Sequence, residues 1–202
     1  AEGLGKGRTE FHMVGGLHPD LPFDYYLEMI HGIKEIHPHL HLNVFTTTEI
    51  RWLADHVAKM SVEETLGALV RAGLGSLTGG GAEIFAEPTR SVICKGKQSA
   101  EDWLDVHRIA HGMGLRSSCT MLYGHVETDE DRVDHMLRLR ELQDETGGFT
   151  TFIPLAFHPD NSQMADVPGP GGLLDIRNYA AARLLLDNID HIKAYWIMVG
   201  VP

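Results

Sequence analysis

Cysteine is almost missing from this chain: Cys94 and Cys119 are the only two among 202 residues, and they stand far apart. So sparse a set supports neither a disulfide framework nor a thiolate metal or redox site, and it suits a reducing cytoplasm. Basic charge is scarce too, with 17 Lys and Arg against 28 Asp and Glu and a formal net charge of −11. That balance repels phosphate backbones and anionic lipid, so neither nucleic acid nor membrane is an expected partner. No apolar run approaches the roughly 20 residues that cross a bilayer. Ala1 to Arg8 is Gly-rich and polar, unlike a secretory leader, so a soluble protein is expected. The P-loop and the G-x-S-x-G elbow are both missing, which removes two common routes to phosphate binding and nucleophilic catalysis.

What is present is a repeat of short apolar runs. Phe11 to Val14, Leu42 to Phe45, Leu74 to Thr78, Ser117 to Tyr123, Phe149 to Leu155 and Ile192 to Val199 read as strands. Between them lie helical patterns. Ser61 three residues before Glu64, and Thr128 three before Asp131, have capping-box spacing, with Gly73 and the pair Gly147 and Gly148 as stops. Tyr26, Met29, Ile30 and Ile33 form one apolar stripe, Trp103, Val106, Ala110 and Met113 another, and Val133, Met136 and Leu137 a third. Further helices are expected over 49–60, with Ile50, Leu53, Ala54 and Val57 inward, and over 175–188. Alternating strands and helices predict an α/β fold, a partial (β/α) barrel of parallel strands with outer helices, in a single domain over 1–202.

In such a fold the strand exits gather at one rim, and here they are rich in chemistry. The first run empties into Gly15, Gly16 and His18, the second into Thr46 to Glu49, the third into Gly79, Gly80, Gly81 and Glu83. The fourth leads to Gly124, His125 and Glu127 directly after Tyr123, and the fifth to His158. Three glycines beside a carboxylate suit a polyhydroxylated ligand such as ribose, and a phenol, an imidazole and a carboxylate on one loop could position or protonate a substrate. The bland alternatives are that the glycines make tight turns and that Glu127 caps the next helix. The broken stretch from Asp160 to Gly172 is either a lid over the rim or a passive connection. Among thirteen histidines, the alternation of His37, His39 and His41 is the nearest to a metal pattern, but they enter a strand rather than leave it. His107 and His111 share a helix face without the Glu of a zinc protease motif, and no metal ligands are assigned.

The segments FHMVGGLHPDLPFDYY, LTGGGAEIF, TMLYGHVET, RLRELQDETGGF and FIPLAFHPD together resemble the menaquinone-pathway radical S-adenosylmethionine (SAM) enzymes, from about Thr9 to Val199 and nearest to the aminofutalosine-forming branch. The branches making cyclic dehypoxanthinyl futalosine and the deazaflavin precursor FO are close alternatives. The resemblance implies a cytoplasmic transferase that uses SAM and a [4Fe-4S] cluster, with an electron donor. Its 5′-deoxyadenosyl radical adds to 3-[(1-carboxyvinyl)oxy]benzoate to give aminofutalosine. It also implies that Gly15 and Gly16 meet the methionine end of SAM, that Glu83 meets its ribose, and that Leu122, Gly124 and Glu127 lie near its adenine. His18, Glu49, Tyr123, His125 and His158 remain for the substrate side by their place at the rim.

One departure stands out. The family ligates its cluster through a C-x-x-x-C-x-x-C loop after the first strand, and neither that loop nor its three cysteines occur here. The expectation is a fragment, lacking the first strand and cluster loop and inactive by itself. A zinc-dependent hydrolase barrel and a cluster-free binding domain are the readings from other classes.

Overall fold

A computed structural model of the chain describes residues 7–195 and 197. Six strands form one sheet in the order β1 to β6, every neighbouring pair parallel. They are β1 (Glu10–Met13), β2 (His41–Val44), β3 (Ser76–Leu77), β4 (Arg116–Tyr123), β5 (Phe149–Ala156) and β6 (His191–Ile192). The helices are α1 (Phe23–Ile36), α2 (Thr47–Trp52, running into a π-helical Leu53–Ala58), α3 (Val62–Ala72), α4 (Glu87–Ile93), α5 (Ala100–Gly112), α6 (Asp129–Thr146) and α7 (Gly172–Leu185). Sequential parallel order means that each connection crosses over one face, which curves the sheet toward a barrel.

The core lies between sheet and helices in two adjoining clusters. One joins Leu42, Val44 and Leu77 to Ile30, Ile50, Leu66 and Leu69; the other joins Cys119, Met121, Tyr123 and Phe152 to Trp103, Met136 and Leu139. The opposite face of the sheet is mixed, with polar side chains toward the strand entries and Ile153 among its apolar ones. Glu10, His12, His41, Asn43, Ser76, Ser118 and Thr151 line a cavity of about 360 Å³ there. One face packed under helices and one open face make this the wall of an incomplete barrel, as expected from the alternation of strands and helices.

The capping signals are borne out: the Ser61 and Thr128 side chains accept from Glu64 N and Asp131 N, and Gly73 and Gly147 stand at the C-caps. Several expectations are corrected. The ladder of β3 holds only two residues, although Gly75 N and Thr78 N still donate to Leu42 O and Phe45 O on either side of it. The last strand ends at Ile192 instead of running to Val199, which lies outside the described residues. On α6 Val133 and Leu137 are exposed, and the inward face carries Arg132, His135 and Gln143 beside Met136, Leu139 and Leu142. Met113 caps α5 and is 36% exposed instead of joining its buried stripe. The helix expected from Glu49 starts at Thr47, and α4 was not foreseen, its Pro88 sitting in the first turn where no N–H is needed. His37, His39 and His41 do not alternate along a strand, since His37 caps α1 and only His41 belongs to β2.

Candidate active site

Parallel strands deliver the exits of β1 to β5 to the same edge of the sheet, and a chain of contacts ties them together. Gly15 N, after β1, donates to Glu49 Oε1 at 2.8 Å, after β2. A Cβ on Gly80 or Gly81, after β3, would meet the Thr46 or Thr48 side chain at 3.0 or 2.6 Å. Leu122 N, near the end of β4, donates to Glu83 O at 2.8 Å, and Phe157 N, after β5, donates to Tyr123 O at 2.8 Å. Gly79 is hemmed in by backbone: a Cβ there would lie 2.7 Å from Cys119 Cα and Ser118 O, which cannot yield. Glycine is required at that position by the close approach of β3 and β4.

The three rim carboxylates have different occupations. Glu49 completes a capping box with Thr46, accepting from Thr46 N and Oγ1 at 2.8 Å each through Oε2 while Oε1 holds Gly15. Glu127 repeats the device, accepting from Gly124 N at 2.7 Å, His125 N at 2.8 Å and Arg132 Nη1 at 2.5 Å. Each therefore braces a glycine-bearing turn through its backbone N–H. Glu83 differs: its backbone is left-handed with φ +45°, and its carboxylate, 18% exposed, meets Lys97 Nζ at 2.6 Å. Phe45, at the end of β2, is likewise left-handed with φ +67°, so strained backbone collects at this edge.

Tyr123 and His125 are internally engaged. Tyr123 OH donates to Asp175 Oδ1 at 2.7 Å, and burial, aided by that carboxylate, pushes the phenol far above its usual range. The His125 imidazole accepts from Val126 N at Nδ1 and meets Leu122 O through Nε2. Burial outweighs the neighbouring Glu127 charge and lowers its pKa, so the ring is neutral at pH 7 and protonated at Nε2. The 3.1 Å approach of Nδ1 to Glu127 is thus no ion pair. His18 is exposed on the segment after β1, its Nδ1 accepting from Asp20 N, and His158 is exposed after β5. The Asp160 to Gly171 stretch folds back over the fourth exit, where Pro170 fills the space a Gly124 Cβ would take.

Sequence reasoning missed Arg90, Lys97, Arg132 and Asp175, which bind rim residues but stand outside the strand exits. It also missed the capping box at Thr46 and Glu49, although the spacing matches the two it found.

A nucleoside-type ligand such as SAM fits this rim. Gly16 opens onto empty space, Thr48 Oγ1 and Gln98 Oε1 are buried without hydrogen-bond partners, and Glu83 offers a carboxylate to hydroxyl donors. An iron–sulfur cluster does not fit. Both cysteines are buried with thiol pKa values raised by desolvation, and no group of three metal-ligating side chains exists among the described residues. The same holds for zinc: His107 lies wholly buried against Trp103, and His111 bridges Thr146 and Ser117.

Known proteins resemble this chain along most of its length. The sequence profile of the Radical SAM superfamily matches residues 1–139. Aminodeoxyfutalosine synthase of Thermus thermophilus is 52% identical over 94% of the chain and 52% of its own length. That of Streptomyces coelicolor is 45% identical over 98% of the chain and 53% of its own. The 5-amino-6-(D-ribitylamino)uracil–L-tyrosine 4-hydroxyphenyl transferase of Methanopyrus kandleri is 41% identical over 100% of the chain and 56% of its own. The chain thus spans about half the length of the curated relatives it matches. Among solved structures, methylornithine synthase (PylB) superposes with a TM-score of 0.67 at 15% identity over 93% of this chain and 50% of its own, a likeness of fold alone.

Proposed function

The chain belongs to the radical SAM superfamily, and on that premise we propose that its rim binds SAM in an enzyme that forms aminofutalosine. The observation that supports this reading most is the 52% identity to an aminodeoxyfutalosine synthase along nearly the whole chain. When bound, SAM would supply the 5′-deoxyadenosyl group, its C5′–S bond broken by one electron from the external donor with release of methionine; addition to the enolpyruvyl double bond of 3-[(1-carboxyvinyl)oxy]benzoate, with rearrangement and loss of the carboxylate, would give aminofutalosine. A cytoplasmic setting and an external electron donor belong to the same reading. No step is assigned to cluster ligands in these 202 residues, because the residues present cannot hold a cluster.

The contacts of the chain's own residues support the following roles. Glu49 holds the turn of Gly15 and Gly16 open toward the methionine end of SAM. Glu83 accepts from the ribose hydroxyls. Glu127, neutralised by Arg132, shapes the Gly124 turn and Leu122 carbonyl beside the adenine. Tyr123 and His125 keep that turn and the start of α7 in place; His18 and His158, exposed after β1 and β5, lie on the substrate side.

The test is an anaerobic assay of the intact gene product, reconstituted with iron and sulfide and given SAM and the enolpyruvyl benzoate. Aminofutalosine is the expected product. Turnover of tyrosine with 5-amino-6-(D-ribitylamino)uracil instead would move the protein to the function named for its Methanopyrus relative. Failure to cleave SAM with either substrate would end the radical reading.

A further inference from the structure

The third exit contains a buried cation that the SAM-binding reading does not use. Arg90 on α4 is 3% exposed, and its guanidinium donates to backbone carbonyls alone: Nη1 to Ala82 at 2.5 Å and Ile84 at 2.9 Å, Nη2 to Gly81 at 3.2 Å and Gln98 at 2.7 Å, and Nε to Gln98 at 3.2 Å. Ala82 and Ile84 flank Glu83, whose own carbonyl takes Leu122 N. Four successive carbonyls, from Gly81 to Ile84, are thereby fixed, and the left-handed Glu83 is gripped from both sides. Gln98 follows Lys97, so the same guanidinium also secures the backbone from which the Lys97 side chain springs.

Most surface ion pairs join two freely moving side chains and achieve little. The Glu83 and Lys97 pair is different, because one rigid group braces the backbone beside both partners and the contact is short at 2.6 Å. An ionised carboxylate has about four lone-pair sites. Lys97 takes one at Oε1, which sets the plane of the carboxylate and leaves about three sites, enough for two further donors. Two adjacent hydroxyls are the group that such a fixed carboxylate recognises.

We propose that Lys97 is a positioning residue for Glu83: braced through Arg90, it orients the carboxylate to receive the vicinal diol of a ribose. The inference rests on Glu83 as the ribose contact and deepens that reading.

Calorimetric titration of the intact gene product with S-adenosylhomocysteine and with its 2′,3′-dideoxyribose analogue tests it. The wild type is expected to prefer the diol. Lys97→Met, a partly exposed position whose replacement leaves the core untouched, is expected to weaken diol binding roughly tenfold, the scale of a charge-assisted hydrogen bond. It should change dideoxy binding by less than about twofold, and Lys97→Arg should recover most of the loss. Arg90→Lys, checked for cooperative unfolding, is expected to shrink the diol preference in the same way. Equal losses for both ligands in Lys97→Met, or an unchanged diol preference, would overturn the positioning role. A wild type that binds the adenosyl ligand without preferring the diol would remove Glu83 as the ribose contact, and this inference with it.

Discussion

Gly124 and Gly16 are both rim glycines, yet they are glycine for different reasons. Gly124 has φ +87°, and a Cβ there would lie 2.5 Å from Pro170 Cδ; Gly16 has open space around it. Gly124→Ala is therefore expected to cost roughly 1–2 kcal/mol for the left-handed backbone alone, and to push the Asp160 to Gly171 stretch off the rim. Gly16→Ala should stay within about 0.5 kcal/mol of wild type. Urea denaturation compares the two, and limited proteolysis reads the loosened stretch; equal stabilities would refute the account. Both glycines were legible as strand exits, but the packing that separates them was not, because Pro170 is distant in sequence. The same is true of Gly148, read as a helix stop, where a Cβ would run into the His111 ring.

At the scale of elements, local signals were sound where a backbone end needed a partner nearby. Ser61, Thr128 and Gly73 act as their spacing indicates, since an unpaired N–H or C=O at a helix end is satisfied within a few residues. Thr128→Ala is expected to cost about 1 kcal/mol, read as a lowered urea midpoint with unchanged slope. The apolar-stripe rule failed on α6, whose inward face is half polar. Gln143 accepts from Phe149 N at 2.8 Å and donates to Phe149 O at 3.1 Å, while His135 Nε2 meets Thr120 O at 2.9 Å. Polar groups paired in this way are tolerated inside, and no periodicity in the helix alone reveals their partners.

For the molecule as a whole, three buried histidines predict acid sensitivity. Desolvation lowers the pKa of His107 well below the ordinary value of 6.5, that of His111 to about 4 and that of His135 to about 3. The unfolded chain takes up these protons near pH 6.5, whereas the folded protein resists until far lower pH. Stability is therefore full above pH 6.5 and declines as pH falls below it, by up to about 1.4 kcal/mol per pH unit for each group. Urea unfolding between pH 7.5 and 4.5 should show this decline, and a flat profile would refute it. His107→Leu should flatten the slope by one group's share without weakening the protein at pH 7, since neither ring nitrogen has a hydrogen-bond partner.

The sequence by itself determined the parallel α/β order, the helix caps, the family and the absence of a cysteine set able to hold a cluster. Those features depend on local periodicity, on backbone groups satisfied close by, or on simple presence. Only the tertiary structure decided which rim carboxylates are committed to bracing: Glu49 and Glu127 are closed around glycine N–H groups, while Glu83 stays available. It also decided that Tyr123 and His125 are occupied and that Arg90 grips the third exit. Such assignments turn on contacts between segments far apart along the chain, whose geometry exists only once the sheet has brought its strand ends to one edge.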